Sequence, residues 1–219
     1  KAAEMVRQTN AKWAEKLGIK PAARTTCVKP AGTTSCVLGT SSGIHAWHND
    51  FYIRRLRVGK NESIYAYLLS NHPELVEDCV GSPHNTAIIS VPQAAPPNAT
   101  IRTETAIELL ERVKWVSRSW VRQGHIAGQN THNVSATVSI KEDEWETVGN
   151  WMWENRECYN GLAVLPYHGG SYQQAPFEDC DEAKYNEMME SLSGVDLSKV
   201  VELVDNTDLS GELACAGGA

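Results

Sequence analysis

No stretch of this 219-residue sequence approaches the roughly 20 consecutive apolar residues of a membrane-spanning helix, and its start carries no signal-peptide pattern. Positive charge is not in excess: 20 Lys and Arg face 27 Asp and Glu, a net charge of -7. That balance argues against direct nucleic-acid binding, which calls for a basic face, and leaves room only for a small local basic pocket. There is no C-x-x-C and no cysteine pair with a histidine pair at zinc-finger spacing. His45-x-x-His48 has no acidic or thiolate company, so no metal site is expected. The six cysteines, at 27, 36, 79, 158, 180 and 215, are scattered, which fits a reducing cytosol and a cytoplasmic protein better than a disulfide framework. Internal repeats and low-complexity tracts are missing. So is an initiating Met: the first residue is Lys1, which reads as a fragment, a processed product or a shortened chain.

What is present centres on Lys29-Pro30-Ala31-Gly32-Thr33-Thr34-Ser35-Cys36. Arg24 to Val28 precedes it as a short β-branched run that reads as a strand. Pro30 lacks a ladder donor and ends that strand, and Gly32 permits a turn. The hydroxyls of Thr33, Thr34 and Ser35 stand where a short helix through Cys36, Val37 and Leu38 begins. With the Lys29 ammonium they suit a phosphate. The same residues also suit a turn that does nothing but cap a helix.

Along the chain, Ala3, Val6, Trp13 and Leu17 mark a helix over residues 2–17, stopped by Gly18. Asp50 to Val58 reads as a strand, its three arginines serving either an anionic ligand or a solvated face with surface salt bridges. Asn61 to His72 is an amphipathic helix, and Pro73 to Cys79 reads as a short second one. Thr86 to Pro92 is a buried strand. Thr103 to Gln123 is the longest helix, stopped by Gly124. Asn133 to Ile140 alternates at period 2 and reads as a strand. Lys141 to about Glu157 is a helix whose aromatic stripe, Trp145 and Trp151 among it, reads as core. Gly161 to Pro166 is a strand, His168 to Pro176 a loop, and Asp181 to Leu192 and Leu197 to Val204 are helical. This order indicates an α/β protein with a largely parallel sheet, residues 1–202 forming one body and 203–219 a flexible tail bearing Cys215.

Five segments, in this order, resemble the C-terminal part of adenosylcobalamin-dependent (class II) ribonucleotide reductases of the monomeric ribonucleoside-triphosphate type. They are Pro30-Ala31-Gly32-Thr33-Thr34-Ser35, Ser42-Gly43-Ile44-His45, Tyr52-Ile53-Arg54-Arg55-Leu56-Arg57, Asn133-Val134-Ser135-Ala136-Thr137-Val138 and Gln174-Ala175-Pro176-Phe177-Glu178. Each is weak singly; the ordered set is specific.

The resemblance implies part of a ten-stranded α/β barrel of the ribonucleotide reductase type. It implies radical reduction of ribonucleoside triphosphates to 2′-deoxyribonucleotides for DNA synthesis, with adenosylcobalamin as cofactor supplying the radical chemistry. Ala31, Gly32, Thr33, Thr34 and Ser35 would then bind the substrate phosphates. Cys215, in the Gly-rich end of the chain, would be a redox shuttle fed by thioredoxin or a similar dithiol. Two departures stand out. The family's N-P-C-G-E segment, which carries the radical cysteine, does not occur here, so neither Cys27 nor Cys36 takes that role, and both read as core or strand cysteines. No second tail cysteine follows Cys215. The expected partner is therefore the N-terminal remainder of the reductase. The alternative is a non-catalytic, nucleotide-binding remnant or separate subunit that needs such a partner.

Overall fold

The computed structural model describes residues 1–32, 34–167 and 172–201. Thr33, Cys215 and the whole 203–219 tail lie outside the described residues. The chain divides into two compact units. The described residues of the first fall within Lys1–Ala46 and Thr103–His168, those of the second within Trp47–Arg102 and Gly169–Ala214.

In the first unit, helix α1 (Ala2–Leu17) ends where Gly18 takes φ 65°, and its N–H returns to Ala14 and Glu15 carbonyls. Helix α2 (Thr34–Leu38) is a single short turn after the loop. The core of this unit is built on helix α4 (Ala106–Val116). Thr105 starts α4 with a capping box: Glu108 N–H donates to the Thr105 hydroxyl, and Thr105 N–H donates to the Glu108 carboxylate. Leu110 and Val113 of this helix are fully buried. Strands β4 (Thr137–Ile140) and β5 (Ala163–Pro166) pair in parallel, joined through helix α5 (Trp145–Glu154). Ala106, Leu109 and Leu110 pack with Val138, Ile140, Val148 and Trp151. This is a strand-helix-strand crossover of the expected kind.

The second unit holds β1 (Phe51–Gly59), α3 (Ser63–Asn71), β2 (Val76–Asp78), β3 (Thr86–Ala94), β6 (Phe177–Asp179) and α6 (Glu182–Leu192). Its sheet runs β2-β3-β1-β6 with every neighbouring pair antiparallel. A largely parallel sheet is therefore the wrong expectation for this unit. The reason is local. The chain leaves β2, turns tightly through residues 79–85, and inserts β3 between β1 and β2, which run parallel to one another without pairing. Alternation of strands and helices in sequence does not fix strand direction when a hairpin can intervene. Val58, Leu68, Leu75, Ala87 and Ile89 form its core.

Four further expectations change. Pro73–Leu75 is one 3-10 turn that passes directly into β2, so residues 73–79 are not a helix. The long helix ends at Val116 and continues as a π turn (Ser117–Val121) and a 3-10 turn (Arg122–Gly124). Residues 24–28 pair through isolated bridges, Arg24 with His125 and Val28 with Val134, and not as a full strand. Of the aromatic stripe, Trp151 is buried whereas Trp145 is exposed.

The π turn has a structural consequence. Carbonyls of Trp120 and Val121 accept the hydroxyl of buried Thr26, at 2.9 and 3.1 Å. Thr26 presses so close to Gly124 that a Cβ there would sit 1.9 Å from its Oγ1. Gly124→Ala is therefore expected to destabilise the chain by about 2–3 kcal/mol in urea unfolding. Thr26→Ala in the same chain is expected to restore part of that loss; a fully additive double variant would show that the close approach is not the cause.

Candidate functional site: a loop held by three sequence segments

The loop's entry is set by residues 133–135. Val28 N–H donates to Asn133 O at 3.3 Å, and Ser135 N–H donates to Val28 O at 3.0 Å. Asn133 in turn is held by its side chain, which donates to Gly161 O at 2.9 Å and accepts from Asn160 N–H at 3.3 Å. On the opposite flank, Trp120 Nε1 donates to Cys27 O at 3.0 Å. Lys29 thus leaves a segment pinned on both sides, and the loop begins from a fixed point.

Within the loop, Ala31 N–H donates to the Ser42 hydroxyl at 3.0 Å. The Ser35 hydroxyl, itself buried, donates to Ala31 O and ties the first turn of α2 back onto the loop. Cys36 Sγ–H donates to Gly32 O at 3.2 Å. Ala31 and Ser35 therefore use their polar groups to hold the turn's shape. Thr34 and Lys29 are exposed beside it.

Ser42, Gly43, Ile44 and His45 form the wall behind the loop. Gly43 has φ 63°, and a Cβ on it would lie 3.3 Å from Lys29 O, so glycine serves both the backbone conformation and the close approach. Ile44 packs into the core with α4 and β4, and its carbonyl accepts from Arg112 Nη1 at 3.1 Å. Arg112 is itself paired with the largely buried Glu104 carboxylate. His45 Nδ1 lies 2.9 Å from Ser42 O, and Thr137 N–H donates to His45 Nε2 at 3.0 Å.

Three of the five segments singled out from the sequence, 30–35, 42–45 and 133–138, thus converge at one place. The other two converge in the second unit. Tyr52, Ile53 and Arg54 of β1 pair with Asp179, Glu178 and Phe177 of β6. Arg55 donates to Ala175 O at 3.0 Å and pairs with Glu178, while Arg54 lies over the Phe177 ring. Gln174, at φ 57°, donates to Asp78 O at 2.7 Å and accepts from Val80 N–H at 2.8 Å. Of the β1 arginines, Arg55 thus makes ion pairs with Glu178 and Glu77, while Arg54 contacts a ring. His48 stacks on Phe177, with Nε2 3.1 Å from Asp179 Oδ1, and Arg102 donates to the same carboxylate at 2.6 Å. Burial and then the Arg102 guanidinium lower the His48 pKa to about 4, against the pull of Asp179.

The cysteines stand apart from the sequence expectation. Cys27 and Cys36 are exposed and not core residues, whereas Cys79 and Cys158 are buried. Burial raises the Cys79 thiol, but hydrogen bonds from the Gly81 and Ser82 backbones and Arg57 outweigh it, leaving the pKa below its ordinary value. No group of three His, Cys, Asp or Glu side chains able to hold a metal occurs among the described residues. No described helix is long and apolar enough to cross a membrane. The supporting roles of Arg112 and Glu104 were not visible in the sequence, because Glu104 precedes the helix and a separation of eight residues is not a helical pairing distance.

The fold is that of part of a class II ribonucleotide reductase. A crystal structure of a B12-dependent (class II) ribonucleotide reductase matches with a TM-score of 0.70 and 23% identity, over 91% of this chain and 28% of that one. In sequence, the chain is similar to two adenosylcobalamin-dependent ribonucleoside-triphosphate reductases across nearly all its length. That of Levilactobacillus brevis is 24% identical over 94% of this chain, and that of Euglena gracilis 27% identical over 97%. The chain spans 28% of the length of each of these relatives. A scan of protein-family models finds no match.

His48 gives this geometry a pH signature. Between about 4 and 6.5 the unfolded chain binds a proton at this residue that the folded one refuses, so stability is expected to fall as pH drops through that window. His48→Phe retains a ring against Phe177 and should flatten that part of the unfolding profile. An unchanged slope in the variant would assign the acid sensitivity to other groups.

Proposed function

We propose that this chain is the substrate-phosphate-binding part of an adenosylcobalamin-dependent ribonucleoside-triphosphate reductase, contributing its strands to a ten-stranded barrel. The observation that carries the reading is the convergence of segments 30–35, 42–45 and 133–138 on one loop. The similarity to named triphosphate reductases supports it.

Phosphates are the most strongly charged handle on a ribonucleotide, and fixing them places the ribose for reaction. In this reading Gly32, Thr33 and Thr34 meet the phosphates through backbone N–H groups and hydroxyls, with Lys29 supplying positive charge. Ala31 and Ser35 complete the site by holding the turn. The chemistry adenosylcobalamin supplies when bound is the radical that activates the ribose. In this reading the described residues bind and orient the nucleotide, and none of them is assigned to holding that cofactor. Cys215, outside the described residues, is proposed as the redox shuttle to thioredoxin or a similar dithiol, in the cytoplasm.

Calorimetric titration of the 219-residue chain with CTP tests the phosphate role. Thr34→Val is nearly isosteric and exposed, so it is expected to weaken binding about five- to tenfold with an unchanged melting temperature. Equal affinity in the variant would contradict a direct contact by Thr34.

A further inference from the structure

We infer that His45 is a positioning residue for the phosphate loop, acting through Ser42. This rests on the reading that the loop takes a nucleotide's phosphates, but its core is a statement about what orders the loop.

The hydrogen bonds leave the imidazole one arrangement. Thr137 N–H can only donate, so His45 Nε2 accepts; the proton is then on Nδ1, which donates to Ser42 O. The ring thus links the first residue of β4, in the buried core, to the backbone of Ser42. Ser42 passes the constraint on, since its hydroxyl takes the Ala31 N–H. Ala31 O in turn accepts the Ser35 hydroxyl. The result is a continuous run of hydrogen bonds from β4 through His45, Ser42 and Ala31 to the start of α2. Gly43 allows the two backbones to lie close enough for this, and Arg112 anchors the intervening Ile44 carbonyl to α4. Gly32 and Thr34 lie between Ala31 and Ser35, the last two members of that run. Without the His45 ring, the turn keeps its Ile44 anchor in the core and the backbone bond from the residue-45 N–H to Ser42 O at 3.1 Å, but loses the link that ties Ser42 to β4.

The test uses the 219-residue chain with His45→Ala, Ser42→Ala and, for comparison, Tyr159→Phe, which removes a hydrogen bond to Met152 O in the same unit without touching the loop. Amide hydrogen exchange of Ala31 and residues 34–36 is measured alongside CTP titration and thermal melting. Exchange at Ala31 is expected to speed by about tenfold or more in both loop variants, the loss of one buried hydrogen bond's ordering. Affinity for CTP should fall by a similar factor, and added imidazole should restore part of it in His45→Ala only. Tyr159→Phe, even at a matched loss of melting temperature, should leave loop exchange and affinity unchanged.

Unaltered Ala31 exchange in His45→Ala would overturn the inference, whatever happens to binding. So would equal acceleration in Tyr159→Phe, since general loosening would then explain it. If the unsubstituted chain binds no CTP yet Ala31 exchange still speeds in the loop variants, the positioning role stands and the phosphate reading falls.

Discussion

The exchange of hydrogen bonds between Val28 and residues 133–135 is the constraint on which the candidate site depends. It is a small interaction, two backbone bonds at an isolated parallel bridge. Its effect comes from position. It fixes the chain one residue before Lys29, and the residues on the far side of the same segment are pinned by Trp120, Thr26 and the close approach of Gly124. A short polar loop on the surface would otherwise sample many conformations, at a cost of order 1–2 kcal/mol per residue to bring into one. Here that ordering is met in the folded chain before any ligand arrives.

Support for the loop is layered by distance from it. Ser42 touches the loop backbone, His45 and Gly43 orient Ser42, and Arg112 with Glu104 hold the carbonyl between them. The outermost members are on α4 and β4, whose apolar residues form the best-buried cluster of the first unit. A site whose polar groups rest on regular elements is more exactly placed than one carried by loops alone. The second unit follows the same logic with other residues: Arg55 and Gln174 bind strand edges together, and His48 fills a space between rings and an ion pair, which is why its protonated form is disfavoured.

Much of this was legible in the sequence, and the rest was not for identifiable reasons. The helix of residues 2–17 ends at Gly18 because only a left-handed residue closes it, and that signal is local. The strand of residues 86–92 is legible because three consecutive residues, Ala87 to Ile89, are buried on both faces. Strand direction is not local: the antiparallel insertion of β3 depends on a seven-residue turn whose composition also suits a surface loop. Residues 76–78 were hidden behind Pro73, which reads equally as a helix start or a single turn. For the site, Thr34, Ser35 and Gly32 were visible as residue types. What the sequence could not separate is which hydroxyls are spent inside the turn, as Ser35 is, and which face outward, as Thr34 does.

The central claim is that this chain supplies the phosphate-anchoring part of a class II reductase. It is tested most directly by an anaerobic reductase assay with adenosylcobalamin, CTP and a dithiol. The chain is assayed alone and mixed with protein from the upstream or neighbouring reading frame that carries an N-P-C-G-E segment. Deoxycytidine triphosphate formed by the mixture and by neither component alone is the expected result. No product from the mixture, with CTP still bound by the chain, would contradict a reductase role and leave a nucleotide-binding protein.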